Sequence, residues 1–200
     1  RQVVVGSWHK EDILEKHITT LLTPHNPKKP LSEFHDRTPV AVVATRVDCF
    51  PGKPYLFRNY PEPAGSPWEG TDGVPVVKAA YATSAAPFYL KPMSLKLPNF
   101  HNTSHLVDGG LLANNPVLVA LLEAKAKFGP DPRFVVVNIG TGFKPALDTG
   151  IEDRWLTTQL SVTLSAAMST LVAQQGAKAI VGEDNFFNID GPILHSDMDK

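Results

Sequence analysis

Apolar positions follow two rhythms along this chain. In KEDILEKHITTLL, residues 10–22, Ile13, Leu14, Ile18, Leu21 and Leu22, with His17 among them, recur at three- and four-residue steps, which predicts a helix. A polar, proline-broken loop follows. PVAVVATRV (39–47) is instead a continuous valine-rich run, the pattern of a strand buried on both faces. YLFRNY (55–60) predicts a second strand, and PVVKAAYATSAA (75–86) a helix opened by proline and stopped before Pro87. Residues 97–107 predict a short hairpin. PVLVALLEAKAKFG (116–129) gives the clearest helix: Asn115 caps it, Pro116 takes its first position and Gly129 ends it. RFVVVNIGTG (133–142) predicts another buried strand running into a glycine turn, residues 155–181 predict helix, and NFFNID (185–190) a last short strand.

Strands alternate with helices, and the strands are not amphipathic. The expected class is therefore α/β, with a mainly parallel sheet flanked by helices. The length of 200 residues fits one domain or a large part of one. Composition changes the picture only by exclusion. A net charge of -1 and the lack of a polybasic block argue against a nucleic-acid partner. The apolar runs are too short to span a bilayer. The single cysteine, Cys49, excludes an intramolecular disulfide and suits a reducing compartment. Its place after a strand favours a buried or partly buried bystander over a nucleophile.

The candidate chemistry sits in VDGGLLANNP, residues 107–116. Asp108 is placed where a strand runs out, the end of an open α/β sheet at which ligands bind. Gly109 and Gly110 permit positive φ and leave room for a close backbone approach. Asn114, Asn115 and Pro116 fix the following helix. A carboxylate held in this way can orient or deprotonate a hydroxyl nucleophile. The plainer alternative is that Asp-Gly is a common turn dipeptide.

YLFRNY, AAYATSAAPFYLKP, VDGGLLANNP and VVNIGTG, in this order, resemble the patatin-like phospholipases, and most of all their calcium-independent phospholipase A2 branch. The resemblance runs from about Trp8 to the last residues. It implies a patatin-like fold and places Asp108 as the aspartate of a Ser-Asp dyad, with Gly109, Gly110, Asn114 and Asn115 as its supporting turn. It also implies a lipid acyl hydrolase of phospholipase A type, a phospholipid substrate, peripheral membrane contact, and an intracellular site in the cytoplasm or on an organelle membrane. Family members carry a glycine-rich oxyanion loop and a GxSxG nucleophile elbow upstream of this region, and no GxSxG occurs in these 200 residues. Residues 1–200 are accordingly expected to be the C-terminal portion of the domain, with the sheet incomplete on its N-terminal side and the segment inactive by itself. The alternative is a non-catalytic lipid-binding or interaction module derived from the same fold.

The remaining candidates carry less. GSW at 6–8 lacks flanking glycines, and Ser84 falls within a helix. A Ser-His-Asp site would draw on His101 or His105, but none of the seven histidines sits in a motif. HNTSH matches no metal-ligand spacing, so no metal and no cofactor are expected. Arg58 could face a phosphate head group, and the favoured reading is a structural partner for a carboxylate that anchors the sheet. Residues 84–87 are expected to pack beneath the site, and PFYLKPM (87–93) is read as core or as a lipid-facing edge. GTG at 140–142 lacks the spacing and lysine of a phosphate loop, which leaves a strand-to-loop turn. The oligomeric state is left open.

Overall fold

A computed structural model describes residues 11–35, 38–87, 89–98, 100–129, 133–142 and 170–191. The chain begins with α1 (Glu11–Leu22) and continues through β1 (Ala41–Arg46), β2 (Lys53–Arg58), β3 (Glu69–Thr71) and α2 (Val76–Ser84). The hairpin β4 (Met93–Leu95) and β5 (Ser104–Asp108) leads into the short α3 (Gly110–Ala113) and then α4 (Val117–Phe128). After β6 (Val136–Ile139) come α5 (Leu171–Val181) and β7 (Phe186–Ile189). The expected elements are present within a few residues of their predicted bounds. Residues 155–169 of the predicted helical stretch, like GSW, His9 and His195, lie outside the described residues.

The larger sheet has the order β3-β2-β1-β5-β4. It is mixed, which corrects the expectation of mainly parallel pairing within it. β1 is antiparallel to both β2 and β5, β4 is antiparallel to β5, and β3 runs parallel to β2. The reason lies in the connections. Residues 47–52 and 96–103 are too short to hold a crossover helix, so the strands they join must turn back on each other. Parallel pairing returns in the second sheet, β6 with β7, whose connection contains α5. The α/β layering stands, since helices cover the larger sheet.

β2 shows why a continuous apolar run is needed. Tyr55 and Phe57 point into the main core, among Ala44, Tyr81, Ala82, Met93 and Leu106. Leu56 and Arg58, on the opposite face, are as deeply buried. Small residues let α2 lie close to the sheet: Ala79, Ala82 and Ala85 are buried within the core cluster, and α1 packs outside α2 through Leu14 and Ile18. A second core joins Val117 and Leu121 of α4 to Ala177 of α5 and Phe186 of β7.

β6 departs from its predicted burial. Val137 and Ile139 are 56% and 74% exposed, while Val136 packs on the second core. Among the described residues β6 has β7 as its strand partner, and one face of that pair lies against α4 and α5. A strand with three apolar residues in four is the sequence of a two-face-buried position, and among the described residues one of those faces is open.

Candidate active site

Asp108 is the last residue of β5, opposite Ala44 of β1. Its backbone N–H leaves the ladder and donates to the carbonyl of Ala85, at the end of α2, at 2.9 Å. Its side chain folds over the turn, where Oδ1 accepts the Gly110 N–H at 2.7 Å. The carboxylate is half-buried and faces a cleft of about 390 Å3 whose walls include Leu56, Thr83, Asn114, Val119 and Ala120. Three elements thus converge on one acid: the end of β5, the end of α2 and the start of the α3–α4 segment.

Of the two reasons expected for the glycines, close backbone approach holds at Gly109 and positive φ does not. Gly109 has φ −61° and Gly110 begins α3, so neither uses left-handed space. Gly109 is needed because a Cβ there would stand 2.2 Å from the carbonyl oxygen of Val43. β5 stops pairing with β1 at this point, and the Val43 carbonyl accepts the Thr83 hydroxyl at 2.6 Å. That bond satisfies an acceptor the sheet no longer serves. At Gly110 a Cβ would meet Asp108 Oδ1 at 3.1 Å and Asn114 Oδ1 at 3.4 Å, so a side chain would press on the acid from the other side.

Asn115 behaves as its position predicts. Its Oδ1 accepts the Val117 N–H at 3.0 Å, Ala120 N–H donates to the Pro116 carbonyl at 2.8 Å, and Gly129, with φ +94°, closes α4. Asn114 and Pro116 line the Asp108 cleft and also a second cleft of about 820 Å3 between α4 and β6. On its far side Asp190 Oδ1 accepts the Gly142 N–H at 2.8 Å, so GTG is a strand-to-loop turn held by a carboxylate.

The other candidates fall away from the acid. His105 lies three positions before Asp108 on one strand, so the two side chains point to opposite faces. It is exposed, with Nδ1 3.0 Å from Ser94 Oγ. His101 is exposed in the preceding loop. Ala85 does pack beneath the site, but Ser84 is exposed, which corrects that part of the expectation. In residues 87–93, Met93 is core and Tyr89 is 57% exposed. Cys49 is half-buried, its Sγ 3.8 Å from the Arg46 carbonyl oxygen. No cluster of metal-ligating side chains occurs among the described residues, and no helix among them is long and apolar enough to cross a membrane.

Sequence reasoning missed Glu123. It is 2% exposed on α4 and receives Arg58 Nε on Oε1 at 2.6 Å and Nη2 on Oε2 at 3.2 Å. Ser66 and Tyr60 hydroxyls also donate to it, at 2.5 and 3.3 Å. Burial by itself would raise the Glu123 pKa, but the hydrogen bonds from Arg58, Ser66 and Tyr60 and the arginine charge together leave it below the usual carboxylate range. Arg58 has the structural role expected of it.

Comparison with known proteins places this geometry. Residues 6–121 match the family model of the patatin-like phospholipases, a span that holds β1 to β5, the Asp108 turn and the start of α4. Calcium-independent phospholipase A2-gamma of Rattus norvegicus is 30% identical over 192 residues, covering 94% of this chain and 23% of the relative. Patatin-like phospholipase 1 of Plasmodium falciparum is 39% identical over 120 residues, 52% of this chain and 18% of the relative. Phospholipase A I of Arabidopsis thaliana is 27% identical over 192 residues, 75% of this chain and 14% of the relative. The chain therefore spans less than a quarter of each of these relatives. With the match covering more than half of the chain, and the Asp-Gly-Gly turn standing at the mouth of a cleft, this chain belongs to the patatin-like phospholipase family.

Proposed function

We propose that this chain carries the aspartate half of a Ser-Asp dyad that hydrolyses acyl esters of glycerophospholipids. The observation that carries the reading is the setting of Asp108. It ends a strand, one carboxylate oxygen is held by the Gly110 N–H at 2.7 Å, and the group faces a cleft with largely apolar walls. With Oδ1 fixed by the turn, the acid is set to meet a proton-bearing partner in the cleft.

In this mechanism a serine from a GxSxG elbow, which residues 1–200 do not contain, enters the cleft beside Asp108. The serine hydroxyl attacks the ester carbonyl carbon as Asp108 takes its proton. Backbone N–H groups hold the tetrahedral oxyanion, each such donor contributing roughly 3 kcal/mol to the transition state. Collapse breaks the ester bond, and Asp108 returns the proton to the departing lysophospholipid oxygen. Water, deprotonated by the same carboxylate, then cleaves the acyl-serine to release a fatty acid. The substrate resides in a bilayer, so the enzyme works in peripheral contact with a membrane surface. Without the serine, residues 1–200 alone do not turn over ester.

The test uses the full-length protein, a serine-reactive fluorophosphonate probe and a phospholipid ester. Labelling together with hydrolysis that Asp108→Asn or Asp108→Ala abolishes, with the folded circular dichroism spectrum retained, is the expected result. An Asp108 variant that keeps most of its activity overturns the assignment. A full-length protein that binds lipid vesicles but takes no label and releases no fatty acid is a lipid-binding module instead.

A further inference from the structure

Among the described residues, the bulkiest side chain that is fully buried belongs to an arginine. Arg58 reaches Glu123 through both Nε and Nη2, at 2.6 and 3.2 Å. Nη2 also donates to Ser66 Oγ and the Trp68 carbonyl, and Nη1 to Glu62 Oε2 at 3.2 Å. Gly70 leaves the space for this fork, since a Cβ there would stand 1.9 Å from Nη1.

The position of the pair follows from two periodicities. Arg58 is two residues beyond Leu56 and shares its face of β2. Glu123 is four and three residues beyond Val119 and Ala120 and shares their face of α4. Leu56, Val119 and Ala120 all line the Asp108 cleft. Ala41, the strand partner of Arg58, lines it too. The ion pair thus joins the strand and helix walls of the cleft one step beyond its end.

Resting on the reading of that cleft as the active site, we propose that Arg58 and Glu123 are a positioning pair that fixes the separation of β2 and α4, and with it the cleft beside Asp108. Stability alone is a poor reason for such a pair. Apolar residues of similar volume at a buried ion pair are often as stable or more so. A bidentate guanidinium–carboxylate contact fixes both distance and angle, which an apolar contact does not.

The test compares Arg58→Met/Glu123→Leu and Arg58→Lys with the unmutated full-length protein by two readouts. The first does not need turnover: in a Cys49→Ser background, N-ethylmaleimide alkylation of Val119→Cys is followed by mass spectrometry of the peptide holding residue 119. The expected result for the apolar pair is retained folded circular dichroism with alkylation faster on the order of tenfold, as the helix wall loosens. The second readout is ester hydrolysis, where kcat falls by roughly 10- to 100-fold with a smaller change in KM. Arg58→Lys, which keeps the charge but loses the fork, falls between. A folded apolar pair with unchanged alkylation and unchanged kcat overturns the proposal. Should that pair fail to fold, Glu123→Gln, which keeps the shape of the side chain, decides on the same two readouts. If the unmutated protein hydrolyses no ester, the active-site reading fails, and the alkylation rates still decide whether the pair sets the cleft.

Discussion

Gly109 lies against the backbone of Val43, so closely that a Cβ on Gly109 would stand 2.2 Å from the Val43 carbonyl oxygen. Neither partner can yield cheaply, because the carbonyl belongs to β1 and also accepts the Thr83 hydroxyl at 2.6 Å. Gly109→Ala must therefore move the turn that presents Asp108. The expected cost is about 1–3 kcal/mol, as for overpacking in a well-filled interior. It is measured as a lower Tm, with hydrolysis in the full-length protein lost to a greater degree than stability. Gly110→Ala meets a side-chain oxygen at 3.1 Å and is the milder change. Equal Tm values for Gly109→Ala and the unmutated protein would show that the turn does not approach β1 as described.

Acid should weaken the protein through Glu123. Its folded-state pKa lies below the ordinary value of 4.5, held there against burial by Arg58, Ser66 and Tyr60. A carboxylate with a depressed folded pKa contributes stability that is complete above its unfolded pKa and disappears as pH falls through the folded one. The denaturant midpoint should thus drop as pH falls below about 4.5. Glu123→Gln should start lower at neutral pH, by about 3 kcal/mol for an arginine left without its buried counter-charge. Its acid slope should be shallower. Parallel slopes for the two proteins would place the acid-sensitive group elsewhere.

That network also marks where the sequence stops being informative. EAKAKFG reads as the solvated end of a helix, and no local signal separates Glu123 from an exposed glutamate. Its burial is decided by Arg58, 65 positions earlier, which is itself buried on the far face of β2. The need for glycine at position 109 is likewise set from a distance, by β1. The motif announced a glycine, and of its two expected reasons close backbone approach holds while positive φ does not. What was legible was what local chemistry dictates: the Asn115, Pro116 and Gly129 punctuation of α4, the hairpin before Asp108, and the acid at a strand end. The apolar run of β6 was legible as a strand, while its cover depends on what packs against it.

Asn115 offers a local test of the supporting turn. Its side chain accepts the Val117 N–H at 3.0 Å, satisfying a donor that has no partner within α4. Asn115→Ala should cost about 1 kcal/mol, and Asn115→Asp, which keeps the acceptor and adds negative charge at a helix start, should cost less. Thermal unfolding of the two variants separates them. Two variants with the same Tm would mean that water serves the Val117 N–H as well as the side chain does.

Tyr60 reports on Glu123 from the alkaline side. Burial first, and then the adjacent Glu123 charge, push its pKa from 10.0 up to about 12. Its hydroxyl donates to Glu123 Oε1 at 3.3 Å, a bond that ionisation of the phenol would destroy. A group whose folded pKa is raised contributes stability that is complete below the unfolded pKa and is lost as pH rises through the folded one. Stability from Tyr60 is therefore intact up to about pH 10 and lost between there and about 12. Phenolate absorbance of the folded protein should show a component near 12 that Tyr60→Phe removes, and the substitution itself should cost about 1 kcal/mol at neutral pH. In Glu123→Gln the same phenol should ionise at lower pH, since the charge that opposes it is gone. A Tyr60 that titrates near 10 in the unmutated protein would mean that no buried carboxylate stands beside it, and the Arg58–Glu123 clamp would lose the surroundings that define it.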